Sequence, residues 1–215
     1  MITAFTSSIL LDFSIRAVPK KHVRSPQFER LPFDVNADVR DLLLLRILRL
    51  TCVTEAFAEL WEASFVANFR SDSWTRVLSG IETEIGSVAR WWSTEVALRR
   101  ALERRQALIE IDALVAIALN VTADELATVY RTQFPVLAGY DRHAYLFDAN
   151  GRLVPNPVLS TWRQKGSAIS REERTARHPE SGVEYTYELP FSTRDREGDL
   201  RCAHAEFSVR LANRR

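Results

Sequence analysis

A buried helix leading into a capped junction constrains this chain more than any other feature. Leu98, Leu102, Ile109, Val115 and Leu119 recur at helical spacing and predict a long helix over 96–119 with one apolar face. Asn120 follows, a residue that tolerates the left-handed backbone at a helix end. Thr122-Ala123-Asp124-Glu125 then reads as a capping box, in which the hydroxyl accepts from the Glu125 amide and the carboxylate reaches back. Val121 and Leu126 supply the matching hydrophobic staple. The second helix is expected to run to about Phe134, with Pro135 as its stop. After a short polar joint, Tyr145–Phe147 and Arg152–Val154 flank Asp148-Ala149-Asn150-Gly151. Asn-Gly between apolar strands predicts a β-hairpin, because both residues tolerate positive φ.

The rest of the pattern is mostly helical. Phe5, Ile9 and Phe13 predict an amphipathic helix over about 3–17, closed by Pro19. Asn36 or Asp38 can cap a helix that packs Leu44, Ile47, Leu48 and Cys52. A further helix restarts at Thr54 and carries Phe57, Leu60, Trp61 and Phe65 on its apolar face. Residues 70–95, broken by Ser71, Ser73, Gly80 and Gly86, fit a domain joint or an insertion, and Trp91-Trp92 finds no place in the pattern. Asn156-Pro157-Val158-Leu159 reads as a turn, and Ser170-Arg171-Glu172-Glu173 as the capping box of a short polar helix. Val183, Tyr185, Tyr187 and Leu189 alternate as a strand, and Leu200, Ala203, Phe207 and Leu211 line a last helix over about 195–211. The expected fold is α+β, mostly α: a helical core with a β-hairpin and short strands in the C-terminal third. Three regions are expected, 1–35, 36–95 and 96–215.

Composition limits the function classes. A net charge of +1 on 215 residues excludes a strongly basic protein but not a local basic face. Lysine occurs only at Lys20, Lys21 and Lys165, so nearly all cations are arginines. Their planar forks suit phosphate and guanine, although a GC-rich genome produces the same bias. Cys52 and Cys202 show no metal spacing, which favours a reduced, cytoplasmic setting. Residues 1–18 carry Asp12 and Arg16 and resemble neither a signal peptide nor a membrane span, and Leu42–Leu45 is too short to cross a bilayer.

Catalytic signatures are missing. There is no G-x-G turn for S-adenosylmethionine, no phosphate loop, no G-x-S-x-G elbow and no zinc spacing among His22, His143, His178 and His204. No lysine stands two residues after an acid, as the common restriction nucleases need. Glu110 and Asp112, two apart on a helix, point to different sides and make a poor acid/base pair.

The run Leu102–Val154, with its capped helix pair, proline stop and hairpin, resembles the C-terminal end of large adenine-specific DNA methyltransferases of the type IIG restriction-modification kind. Thr3–Phe33 is similar to the closing element of their target-recognition region, with Leu31-Pro32 at the exit and His22-Val23-Arg24 where His-Leu-Asn often stands. Leu48–Phe65 resembles the helical pair that follows. The resemblance implies a piece that orients DNA beside a catalytic core, in restriction-modification or phage defence. It implies duplex DNA and a catalytic methyltransferase chain as partners, with S-adenosylmethionine held elsewhere and no cofactor in this chain. Met1-Ile2-Thr3 falls near the beginning of a family helix, so a split subunit or truncated frame is expected.

Two stretches are candidates for DNA contact. Lys20, Lys21, His22 and Arg24, near Arg16, form a cationic loop with no acid until Glu29, suited to phosphates. Arg152 with Trp162, Arg163 and Lys165 places a tryptophan among cations, where it can stack on an exposed base or cap a core edge. Arg131 and Gln133 can touch DNA or cap their helix. One alternative is a protein–protein interaction module whose 42–50 and 96–119 helices dock a partner. Another is a metal-dependent nuclease built from Asp12, Asp141, Asp148 or His143.

Overall fold

The computed structural model describes residues 1–17, 35–178 and 181–213. The expected cationic loop at Lys20, Lys21, His22 and Arg24 lies outside them, as do Pro19 and Leu31-Pro32. The architecture is α+β and mostly α, with a two-stranded antiparallel hairpin in the C-terminal third.

The first helix is two helices. α1 (Ile2–Thr6) and α2 (Ile9–Ala17) break at Ser7-Ser8. The break is held by a neighbouring helix: Asp112 Oδ1 accepts from the Ile9 amide at 2.9 Å, deep in the core. α3 (Ala37–Thr51) starts where expected, with Asn36 Oδ1 accepting from the Asp38 amide at 2.8 Å. Its burial goes almost all the way round. Leu42, Leu43, Leu45, Ile47 and Leu48 are buried, while Leu44 is only half-buried. After a 3-10 turn (Glu55–Phe57), α4 (Ala58–Ser64) buries only Trp61. Phe57 and Leu60, expected on the apolar face, are exposed, and Phe65 is half-buried.

α5 (Ala101–Ala118) is the central helix, starting five residues later than the periodicity suggests. Ile109, Ile111, Leu114 and Val115 have no exposed surface, because α3 packs on one side and α9 (Arg196–Ala212) on the other. A helix apolar on most sides is a core helix. Asn120 has φ +55°, and the capping box of α6 (Ala123–Gln133) forms in both directions: Thr122 Oγ1 accepts from Glu125 N at 3.3 Å and Glu125 Oε2 accepts from Thr122 N at 2.8 Å.

Pro135 ends α6 but opens α7 (Pro135–His143), so the expected polar joint is a helix. Proline at a first helical position loses no hydrogen bond, because that amide has no partner in the helix. The same rule corrects the turn expected at Asn156-Pro157, which is the first turn of α8 (Asn156–Lys165). The 145–154 hairpin contracts to a single bridge, Phe147 with Leu153, and Phe147 also pairs with Ser192. In its turn only Gly151 adopts positive φ, +74°. Gly151 N donates to Asp148 O at 3.0 Å, and the Asp148 side chain accepts from Asn150, Arg152 and Glu188 amides. That is a turn followed by a left-handed glycine rather than a two-residue turn with two positive φ angles. The regular strands are β1 (Thr175–Arg177) and β2 (Glu184–Thr186), with Ala176 opposite Tyr185. The Ser170 capping box forms, but the short helix expected after it does not: residues 171–174 make a turn that leads directly into β1.

The interrupted region 72–100 is irregular yet anchored. Arg49, without exposed surface, donates to the carbonyls of Val96, Glu84 and Ile85, each at 2.8 Å. Burial lowers its pKa to about 10, against the Glu103 carboxylate that favours the charge. Three indoles bind the same strap or its seat: Trp61 Nε1 to Ala89 O, Trp74 Nε1 to Thr83 O and Trp92 Nε1 to Cys52 O. Gly86 lies so close to the Phe69–Asp72 backbone that a Cβ there would stand 2.4 Å from Asp72 O. Arg46 is the second buried arginine of α3. It bonds Glu110 Oε2 at 2.7 Å and Asp72 Oδ2 at 2.6 Å, and its guanidinium lies over the Phe207 ring. Burial opposes its charge, but the two carboxylates raise its pKa above the ordinary value.

Helices α1, α2, α3, α5, α6 and α9 share one apolar cluster, spanning residues 4–207. A smaller cluster, Leu146, Val154, Val158, Leu159, Ile169, Tyr187 and Phe191, lies under α8 and the hairpin.

Candidate nucleic-acid interface

The small C-terminal cluster organises the second candidate stretch. Trp162 is half-buried against Phe191, ring centroids 5.7 Å apart, so it caps a core edge. Arg152 lies over the Tyr185 ring at 5.2 Å beside the same cluster. Lys165 at the end of α8 is held by Glu173. Arg163, exposed, donates Nη2 to His143 O at 2.6 Å.

That last bond joins α8 to the C-terminal end of α7, which carries Arg142 and His143 in its final turn. Cations there offset the partial negative charge of a helix C-terminus. Tyr140, about half exposed, packs on Tyr145 at 5.4 Å between centroids. Arg163 is therefore tied to the helix end that carries Arg142, His143 and the half-exposed Tyr140. Sequence reasoning missed Arg142 and Tyr140 because Pro135 hid the helix that carries them. His143 entered it only as a candidate metal ligand.

Behind this edge the side chains are tied down. Asp141 takes Arg196 Nε at 2.6 Å and the Tyr130 hydroxyl at 3.0 Å. Burial first, and the Asp141 carboxylate second, push the Tyr130 pKa up to about 12, so this phenol stays protonated near neutrality. Asp199 bridges Arg76 and Arg105, each at 2.6 Å. Arg131 pairs with Glu197 at 2.9 Å, and Gln133 donates to Thr132.

The acids of the nuclease alternative are engaged separately. Asp12 pairs with Arg16, Asp141 with Arg196, and Asp148 holds turn amides. Among the described residues no group of three or more His, Cys, Asp or Glu side chains is placed to hold a metal, and no helix is long and apolar enough to cross a membrane. Glu110 and Asp112 do face different ways: Glu110 accepts from Arg46, Thr75 and Gln106, whereas Asp112 caps α2. No family model, curated protein or solved structure matches the chain.

Proposed function

We propose that this chain is a non-catalytic DNA-recognition portion that works beside an adenine-specific DNA methyltransferase core, as a split subunit or a truncated frame, in restriction-modification or phage defence. S-adenosylmethionine is held by the partner and the setting is cytoplasmic. The observation that carries the reading is the Arg163–His143 bond, which ties Arg163 to the end of α7 that carries Arg142 and His143. Arg142 and Arg163 are bound only to backbone carbonyls, with no carboxylate partner among the described residues. Such cations are available to phosphates, and phosphate contact positions a protein on a duplex without reading its sequence.

The test is anisotropy of a labelled duplex with wild type, Arg163→Gln and Arg152→Gln. Binding at low salt that each substitution weakens supports the proposal, and wild-type binding by both variants refutes it. A methyl-transfer assay with a neighbouring methyltransferase tests the partner.

A specific observation favours one rival, the protein interaction module. Phe57, at the cap of α4, and Leu60 within it are exposed, and Trp91 is 68% exposed close by, where the Trp92 amide bonds Glu62. Absence of duplex binding at low salt, with self-association or partner capture lost in Trp91→Ala, is the outcome that reading expects.

A further inference from the structure

A pocket of about 240 Å³ opens where α6, α7 and the start of α9 meet. Four arginines line it: Arg131, Arg142, Arg194 and Arg196. Three acids line it too, but each is engaged within the protein. Asp141 holds Arg196 and Tyr130, Asp195 accepts from the Gly198 amide, and Glu197 pairs with Arg131 and Arg201. Two of the arginines are different. Arg142 donates only its Nε, to Ala138 O. Among the described residues Arg194 donates only Nη2, to Ser79 O, and its Nε, shielded from solvent, has no hydrogen-bond partner. A buried donor left without an acceptor is costly. The pocket also faces the positive end of the 17-residue helix α9.

From this arrangement we infer that the pocket binds a phosphate-class oxyanion, either free or carried on a nucleic-acid backbone. The anion accepts from the terminal nitrogens of Arg142 and from Arg194 Nη1, and Arg196, fixed by Asp141, forms the wall behind it. Bidentate guanidinium contacts are the strong form of phosphate recognition. The volume falls below the roughly 300 Å³ at which sites for drug-sized ligands begin, so the pocket suits one phosphate rather than a whole nucleotide. The inference does not require the DNA reading, since a free anion satisfies it equally.

The experiment uses the full chain at constant ionic strength made up with chloride. Inorganic phosphate and pyrophosphate are titrated by calorimetry, and a duplex by anisotropy, with wild type, Arg142→Gln, Arg194→Gln and the distant Arg90→Gln. Arg142 is exposed and in no ion pair among the described residues, so its variant keeps the fold, which circular dichroism checks. Saturable binding weakened about tenfold by either pocket substitution, and unchanged by Arg90→Gln, is expected. If only the duplex shows this dependence, the phosphate comes from a nucleic-acid backbone; if only the small anions do, it is free. Saturation by neither probe, or affinities indifferent to Arg142 and Arg194, overturns the inference. Loss of duplex binding in Arg163→Gln with phosphate binding intact separates the fate of the DNA reading from that of the pocket.

Discussion

Arg49→Met is expected to release the 72–100 strap while leaving the helices folded. The side chain's length is kept, but the carbonyls of Val96, Glu84 and Ile85 lose donors at 2.8 Å. Hydrogen bonds to a charged group contribute about 1.5–3 kcal/mol each, so three amount to roughly 4–9 kcal/mol. Removing the charge also removes its burial cost. A guanidinium whose pKa falls to about 10 carries a penalty of about 3 kcal/mol. The net loss is therefore about 1–6 kcal/mol, concentrated in the strap. Urea unfolding followed by two probes tests this. Tryptophan fluorescence reports on Trp61, Trp74 and Trp92, whose indoles bond the strap or its seat, while circular dichroism at the helix band reports on the bundle. In Arg49→Met the fluorescence transition moves to lower urea than the helical one. Coincident transitions within about 1 kcal/mol of wild type would refute the role given to Arg49, since point changes away from a structural hub stay near that size.

Three further outcomes follow from the core. Asp112 is buried and its pKa is raised to about 6, by burial against the Ile9 amide, Arg196 and Ser8; because this lies above the unfolded value near 3.9, its stabilisation is full below about pH 4 and lost as pH rises through about 6. Asp112→Asn keeps an acceptor for Ile9, so its stability relative to wild type should rise by about 3 kcal/mol from about pH 4 to about pH 7 in denaturant titrations, and a flat difference contradicts the assignment. Arg46→Met leaves the buried Glu110 carboxylate without a cation and Asp72 with only Arg210 at 3.4 Å, and should cost about 3–5 kcal/mol by the same titration, with part of the loss recovered when Glu110 is also made apolar. Gly86→Ala places a methyl 2.4 Å from Asp72 O and 2.8 Å from Phe69 O, backbone atoms that cannot swing aside, and a thermal melt should register about 1–3 kcal/mol.

The helix caps were legible because they are local. Asn36, Asn120 and the Thr122–Glu125 box act within four residues, and each forms as the spacing predicts. Pro135 ends α6 as its position predicts but also opens α7, and Pro157, expected in a turn, lies in the first turn of α8; a proline at a helix start and one past its end look alike in sequence. The strap was illegible for a different reason. Its order comes from Arg49, at least 35 residues away in sequence, and from indole bonds spanning 9–40 residues. The buried arginines of α3, Arg46 and Arg49, gave one signal, since neither has an acid four residues off to pair with and both must look elsewhere for partners. At the basic edge, Arg163 was visible as a cation beside a tryptophan. Its tie to the end of α7 depends on the His143 backbone carbonyl, which carries no sequence signature.

The salt dependence of duplex binding tests most directly the proposal that this edge contacts DNA. Each phosphate neutralised contributes about −0.9 to the slope of log K against log salt. Wild type should bind a duplex at about 50 mM salt and weaken steeply by about 200 mM, with a slope that shrinks by about 1 in Arg163→Gln. No binding at the lower salt, or an identical slope in the variant, would contradict the account.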